Sequence, residues 1–140
     1  TVPGMKEKYV KTGKVRYIIR EFPLDQLAFA AAAIARCADK EKFFPFVTAL
    51  YKSQSNWAKG DGSAAQKLFD MAKQVGFTQE KFNACLGNKE VIEHISESRR
   101  QGSEDFGVNA TPTIFINGKK LEGGNSLADI EKAMEPYLKG

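Results

Sequence analysis

The sequence predicts an α/β protein in which a block of helices interrupts a β core, and three stretches carry that reading. Residues 106–118 look like a proline-containing loop that feeds a strand and a hairpin turn. Residues 14–22 form a short apolar run near the N-terminus. Between them the hydrophobic spacing changes to that of one amphipathic helix after another.

The chain opens with Met5, Tyr9 and Val10 on one face of a first helix, which Gly13 closes. Over 14–22, Val15, Tyr17, Ile18, Ile19 and Phe22 read as a buried strand, parallel to a neighbour, covered on both faces and ended by Pro23. Asp25 caps a helix running through Leu27, Ala30, Ala31 and Ile34 toward Cys37, and its alanines permit close packing. A second helix spans 42–52, with Phe43, Phe46, Val47 and Leu50 on one face and Pro45 tolerated only in the first turn. Trp57 falls in a polar segment ending Gly60-Asp61-Gly62 and is expected at the rim of the helical core. Ser63 caps a third helix through Leu68, Phe69 and Ala72 to Gly76, and Thr78 caps a fourth through Phe82 and Cys85 to Gly87. Asn88 opens the last of this set, with Val91, Ile92, Ile95 and Phe106 along one face.

Gly107 can end that helix in the left-handed region, and Pro112 pushes Thr111 toward an extended conformation. Residues 113–116 are then a β-branched and aromatic run, and Asn117-Gly118 suits a type I′ hairpin turn. A second strand over 119–122 folds back antiparallel. Gly123-Gly124-Asn125 turns the chain, and Ser126 starts a final helix with Asp129 three residues on, in capping-box spacing.

At 140 residues the chain fits one domain with a sizeable hydrophobic core. Lys and Arg number 21 against 17 Asp and Glu, with the two signs interspersed, which describes a solvated surface and not a nucleic-acid footprint. The longest apolar stretch, 27–34, is too short and too rich in alanine to span a bilayer, and no signal-peptide pattern is visible. His94, the one histidine, sits near Glu90 and Glu93 and reads as a helix-surface residue. One histidine and two distant cysteines assemble no zinc site, and no nucleophile elbow or phosphate loop occurs, so no metal and no cofactor are expected. Asn109-Ala110-Thr111 has the form of a glycosylation acceptor but carries no weight here. Cys37 and Cys85 are too far apart to be a redox motif; on the residues alone they are either two buried thiols or one bridge.

The order proline, strand, turn, strand, helix resembles the C-terminal half of the thioredoxin fold. Phe-Gly-Val-Asn-Ala-Thr-Pro-Thr-Ile-Phe-Ile-Asn-Gly-Lys, from Phe106 on, resembles the same stretch in DsbA-like disulfide oxidoreductases. Further matches begin at Lys6, Arg20, Ala33 and Gly76, so the resemblance covers the whole chain and is to the alpha-proteobacterial DsbA homologues in particular. It implies a partial thioredoxin-like core over 1–23 and 103–140, with an all-helical insertion over 24–102. It further implies a cis bond before Pro112, with Ala110, Thr111 and Pro112 binding substrate. Cys37 and Cys85 match a second, non-catalytic disulfide of some family members, which points to an oxidising compartment, periplasmic or otherwise secreted. The partners implied are unfolded or partly folded secreted proteins and a membrane redox partner of the intact enzyme, with no nucleic acid.

One departure governs the functional expectation. Family members carry Cys-x-x-Cys at the start of the first helix, where the helix dipole stabilises a thiolate. Pro3 resembles a proline just beyond that motif and nothing precedes Thr1, so no catalytic residue is expected in this chain, and whether it is itself an enzyme stays open. A fragment of a DsbA-like oxidoreductase lacking its N-terminal strand and active-site motif is the expected reading. The alternative is a non-redox peptide-binding or scaffold module of the same fold, and a glutathione-dependent kappa-type transferase is more remote. Without the central strand, 15–20 and 113–116 would present unpaired edges, which are expected either to take a strand from another chain in a swapped dimer or to pair directly.

Overall fold

The computed structural model describes residues 2–139. In chain order the elements are α1 (Val2–Met5), continued by a π-helical turn over Lys6–Val10; α2 (Gln26–Cys37); α3 (Phe43–Lys52); α4 (Gln54–Trp57); α5 (Ala64–Lys73); α6 (Gln79–Leu86); α7 (Lys89–Arg100), continued by a π turn over Gln101–Asp105; β1 (Phe115–Ile116); β2 (Lys119–Lys120); and α8 (Leu127–Leu138). The chain divides into two units, Thr1–Arg20 with Gly107–Gly140, and Glu21–Phe106.

In the helical unit, α2 packs against α3, α5, α6 and α7. Ala31, Ala33 and Ala35 are buried beside a fully buried Ile34, and side chains this small let neighbouring helices approach closely. Phe46, Leu68 and Ile95 fill the same core from α3, α5 and α7. The expected N-caps at Asp25, Thr78 and Asn88 each accept the N–H three residues on, at 2.7, 3.1 and 3.2 Å. Ser63 differs: its hydroxyl and N–H both donate to Asp61, at 2.5 and 3.0 Å, and hold that carboxyl at a pKa of about 2. Ser63 has φ −95° and ψ 0°, in the helical region and not the extended conformation of an N-cap, so its oxygen does not meet the N–H groups of the first turn of α5.

Trp57 is only 6% exposed, not at the rim as its polar neighbours suggest. Its indole N–H donates to the Leu50 carbonyl at 2.8 Å, which satisfies the ring's one polar atom and lets the apolar remainder enter the core. Phe106 lies the other way, 58% exposed beyond the π turn, because five π-helical residues separate it from the α7 face that carries Ile95.

The Cys37 and Cys85 sulfurs are 2.11 Å apart and join the last residue of α2 to α6 across a Cα separation of 6.2 Å. Glu21, at the start of this unit, has a side chain only 7% exposed. Arg36 of α2 donates its Nε–H to one Glu21 carboxylate oxygen and also stands 4.4 Å over the Phe43 ring. The other oxygen lies 3.7 Å from His94 Nε2, and the Ser98 hydroxyl donates to the Glu21 carbonyl at 2.9 Å.

In the second unit Met5, Ile130 and Met134 form a small core, against which Tyr9, Val15, Ile114, Ile116 and Leu121 pack. Its ladder is antiparallel, with Phe115 opposite Lys120 and Ile116 opposite Lys119; among the described residues this pair is the only sheet. Both strands are shorter than the sequence suggests, although the Leu121 N–H still donates to the Ile114 carbonyl at 2.8 Å beyond the ladder. The strand expected over 14–22 is not formed; residues 15–23 carry no regular secondary structure. Burial nevertheless alternates with a strand's period of two, Val15, Tyr17 and Ile19 half-buried and Arg16, Ile18 and Arg20 exposed. The segment therefore has one covered face, not two, and Ile18 is 52% exposed.

Two stability outcomes follow from the helical unit. Reducing the Cys37–Cys85 bond, which closes a loop of 48 residues, should cost up to about 4 kcal/mol in the chain-entropy picture, measured by urea unfolding with and without dithiothreitol. Replacing Arg36 with Ala leaves a buried carboxylate without its cation and should cost about 3 kcal/mol in the same assay.

Candidate functional site

The loop between α7 and β1 owes its form to local chemistry. Gly107 has φ +65°, a conformation that admits glycine readily, and Val108 next to it is buried and anchors the loop. Asn109, Ala110, Thr111 and Pro112 are exposed, and the Thr111–Pro112 peptide bond is cis. The Thr113 hydroxyl donates to the Ala110 carbonyl at 2.6 Å, clasping the four residues into a tight loop. Ala110 thus shapes the loop, whereas Thr111 makes no backbone hydrogen bond to any other described residue and keeps its N–H and C=O available.

Asn117 and Gly118, at φ +48° and +82°, form the hairpin turn, and their left-handed geometry matches the twist of the flanking strands. The chain then passes Lys120 and Leu121 and returns through Gly123-Gly124. Together with Asn109, Ala110, Pro112, Thr113 and Ile114 these residues line a groove of about 210 Å³, in which Asn125 also takes part. A Cβ on Gly124 would fall 2.2 Å from Asp129 Oδ2, so only glycine lets the chain pass so close to that carboxylate.

That carboxylate belongs to the capping box of α8. The Ser126 hydroxyl and N–H donate to Asp129 Oδ2 at 2.5 and 3.0 Å, and the Asp129 N–H donates back to Ser126 Oγ at 3.2 Å. The Ser126 hydroxyl, with its N–H adding to it, holds the Asp129 carboxyl below its usual range. One turn along α8, Glu131 accepts from Lys8 Nζ at 2.8 Å and from the Tyr9 hydroxyl at 3.0 Å, tying the first helix to the last. Lys8, and Tyr9 after it, hold the Glu131 carboxyl down, and Glu131 in turn raises both of theirs.

The sequence points to Ala110, Thr111 and Pro112, and the structure sets all three in one exposed loop. It does not point to the opposite wall, Lys120, Leu121, Gly123 and Gly124, which ordinary hairpin composition hides. Cys37 and Cys85 lie in the other unit, bonded to each other, and no free cysteine occurs among the described residues. His94 stands beside Glu21 in that unit as well; a buried acid in a short polar stretch gives no sequence signal. No cluster of side chains among the described residues could hold a metal ion. An exposed loop with an unengaged backbone residue beside a groove can bind a peptide; it offers no nucleophile or general base.

The family model described as Thioredoxin matches residues 1–136. A candidate protein-disulfide oxidoreductase of Rickettsia typhi is 28% identical over 137 residues, which span 97% of this chain and 50% of that protein. Its counterpart in Rickettsia bellii is 30% identical over 137 residues, 95% of this chain and 52% of that one. The chain therefore spans about half the length of the curated relatives it matches. The crystal structure of Wolbachia pipientis alpha-DsbA1 superposes with a TM-score of 0.87 at 29% identity, covering 99% of this chain and 75% of that one.

Replacing Ser126 with Ala removes the α8 cap and should cost about 1 kcal/mol. The pH dependence follows from the sign of the Asp129 shift. With the folded pKa below the unfolded one, the carboxylate stabilises the fold above pH about 4, and this contribution is lost as the pH falls through the folded value. Thermal melts from pH 7 to pH 2 should therefore show a shallower acid-side decline in the Ser126→Ala variant than in the unaltered chain.

Proposed function

The chain belongs to the thioredoxin family, with the DsbA-like proteins, and on that premise we propose that it is the substrate-binding portion of a thiol-disulfide oxidoreductase acting on cysteines of secreted proteins. The observation that carries this reading is the exposed loop Ala110-Thr111-Pro112, with its cis bond and the unengaged Thr111 backbone. An extended polypeptide laid beside Thr111 would exchange β-type hydrogen bonds with it, so recognition depends little on side-chain identity, as a broad set of unfolded substrates requires. In this reading Glu21–Phe106 is the helical insertion and the other unit a partial thioredoxin-like core.

The two cysteines of the chain are both used by the Cys37–Cys85 bond, which fastens two helices and has a structural role. The reactive Cys-x-x-Cys is then contributed by residues outside these 140. In the exchange, a substrate thiolate attacks the enzyme disulfide to form a mixed disulfide, and the second substrate thiolate displaces the enzyme sulfur. Substrate loses two electrons and two protons as the enzyme becomes a dithiol. A structural disulfide fits the periplasm or another extracytoplasmic space. No helix among the described residues is long and apolar enough to cross a membrane.

The second reading, a peptide-binding module without redox activity, is favoured by one observation: no free thiol is present among the described residues. The alternating, one-sided segment 15–20 also suits strand exchange between two copies of the chain.

Titrating an extended cysteine-containing peptide into isotope-labelled chain should shift the amide signals of Asn109, Ala110, Thr111 and Thr113. Methylating the peptide nitrogens should weaken binding about threefold to tenfold, the worth of one backbone hydrogen bond. Signals at 109–113 that never move with any peptide would overturn the peptide-binding reading. Dithiol oxidation by a longer protein carrying Cys-x-x-Cys, and none by this chain, would select the enzyme over the module.

A further inference from the structure

Lys120 is the one charged side chain lining the groove beside the Thr111 loop, and no acid lines it. The remaining lining residues are uncharged: Asn109, Thr113 and Asn125 are polar, and the others, among them Pro112, Ile114, Gly123 and Gly124, are apolar or glycine. The Lys120 side chain makes no ion pair with any described residue, its backbone lying in the ladder opposite Phe115. The unit that holds it has ten Lys and Arg against five Asp and Glu, whereas the helical unit has eleven against twelve. Four of those five acids are already engaged: Glu7 with Lys11, Glu131 with Lys8 and Tyr9, Glu135 with Lys139, and Asp129 in the capping box. The fifth, Glu122, stands two residues along from Lys120 and does not line the groove, so Lys120 carries the one formal charge on its walls.

We propose that this groove selects extended peptide segments bearing an Asp or Glu side chain close to the residue seated at Thr111, with Lys120 as the specificity-determining cation. The proposal rests on the peptide-binding reading and adds a substrate class to it. A peptide paired with the Thr111 backbone directs its alternate side chains to one face. A short apolar side chain could rest on Pro112 and Ile114 while a carboxylate reaches the lysine at the opposite wall. Gly123 and Gly124 present no side chain that would block this approach. Lys119, next in sequence, pairs opposite Ile116 and does not line the groove, which makes it an internal control.

The test compares three cysteine-containing peptides that differ at one flanking position, Glu, Ala or Lys, by fluorescence anisotropy with the 140-residue chain at low and high salt. The Glu peptide should bind about twofold to fivefold tighter than the Ala peptide, the range of an exposed ion pair, and the advantage should shrink as salt is added. Lys120→Ala should abolish the difference, Lys120→Glu should transfer the preference to the Lys peptide, and Lys119→Ala should leave it intact. Equal binding of all three peptides to the unaltered chain would overturn the proposal, and so would an equal loss in Lys119→Ala and Lys120→Ala. Because the peptide series is measured on the unaltered chain, a variant that fails to fold does not remove the test. If no peptide binds while the chain is folded, the peptide-binding reading itself fails, and the selectivity falls with it; peptides that bind without charge preference refute the selectivity alone.

Discussion

Close packing around α2 is the constraint on which the helical unit depends. Four helices contact it, and this is feasible because Ala31, Ala33 and Ala35 leave room for neighbouring backbones while Ile34 fills the space between them. An alanine-rich helix gains only about 0.8 kcal/mol from each methyl it buries, against about 1.5–3 kcal/mol for a large apolar side chain, so its position is secured by other means as well. The Asp25 cap fixes its first turn, Arg36 ties its last turn to buried Glu21, and Cys37 bonds its final residue to α6. Each of these fasteners lies at an end of the helix, where they do not disturb the close contacts along its length.

The unit with the proline loop is organised differently. Its core is small, and much of its order comes from polar contacts between short elements: the Thr113 clasp on Ala110, the Ser126–Asp129 box, and Glu131 shared by Lys8 and Tyr9. Gly124 couples two of these features, since its missing side chain gives Asp129 the room to cap α8 while the same backbone forms a wall of the groove. The site and the start of α8 are therefore one construction. A change made to stabilise the helix would be felt at the groove.

How much of this was legible in the sequence depended on whether the signal was local. Caps at Asp25, Thr78, Asn88 and Ser126, the hairpin turn at Asn117-Gly118 and the left-handed Gly107 all rest on interactions within a few residues, and all occur as read. Trp57 was misplaced because its one hydrogen-bond acceptor, the Leu50 carbonyl, is supplied by a neighbouring turn and leaves no trace in the polar residues around it. Ser63 does not cap because its backbone is in the helical region and not extended, a conformation that residue type does not reveal. Residues 15–20 have a strand's composition and even its alternating burial, yet strand formation requires a ladder partner, and a partner is not a property of the segment itself. The Lys120 wall was missed for a related reason: a lysine on a hairpin is ordinary until the fold sets it opposite a proline loop.

The Cys37–Cys85 bond also governs what happens when the backbone is cut. Residues 58–63 are mostly exposed, contain Gly60 and Gly62 at positive φ, and lie inside the stretch that the bond encloses. A protease that nicks the chain there produces two pieces still held as one molecule, with α2 and α6 fastened to each other and the packed interior between them intact. In an extracellular setting rich in proteases, such a clipped form would migrate as a single species until a reductant released its halves. The bond would then act as a safeguard of covalent integrity as well as of folding.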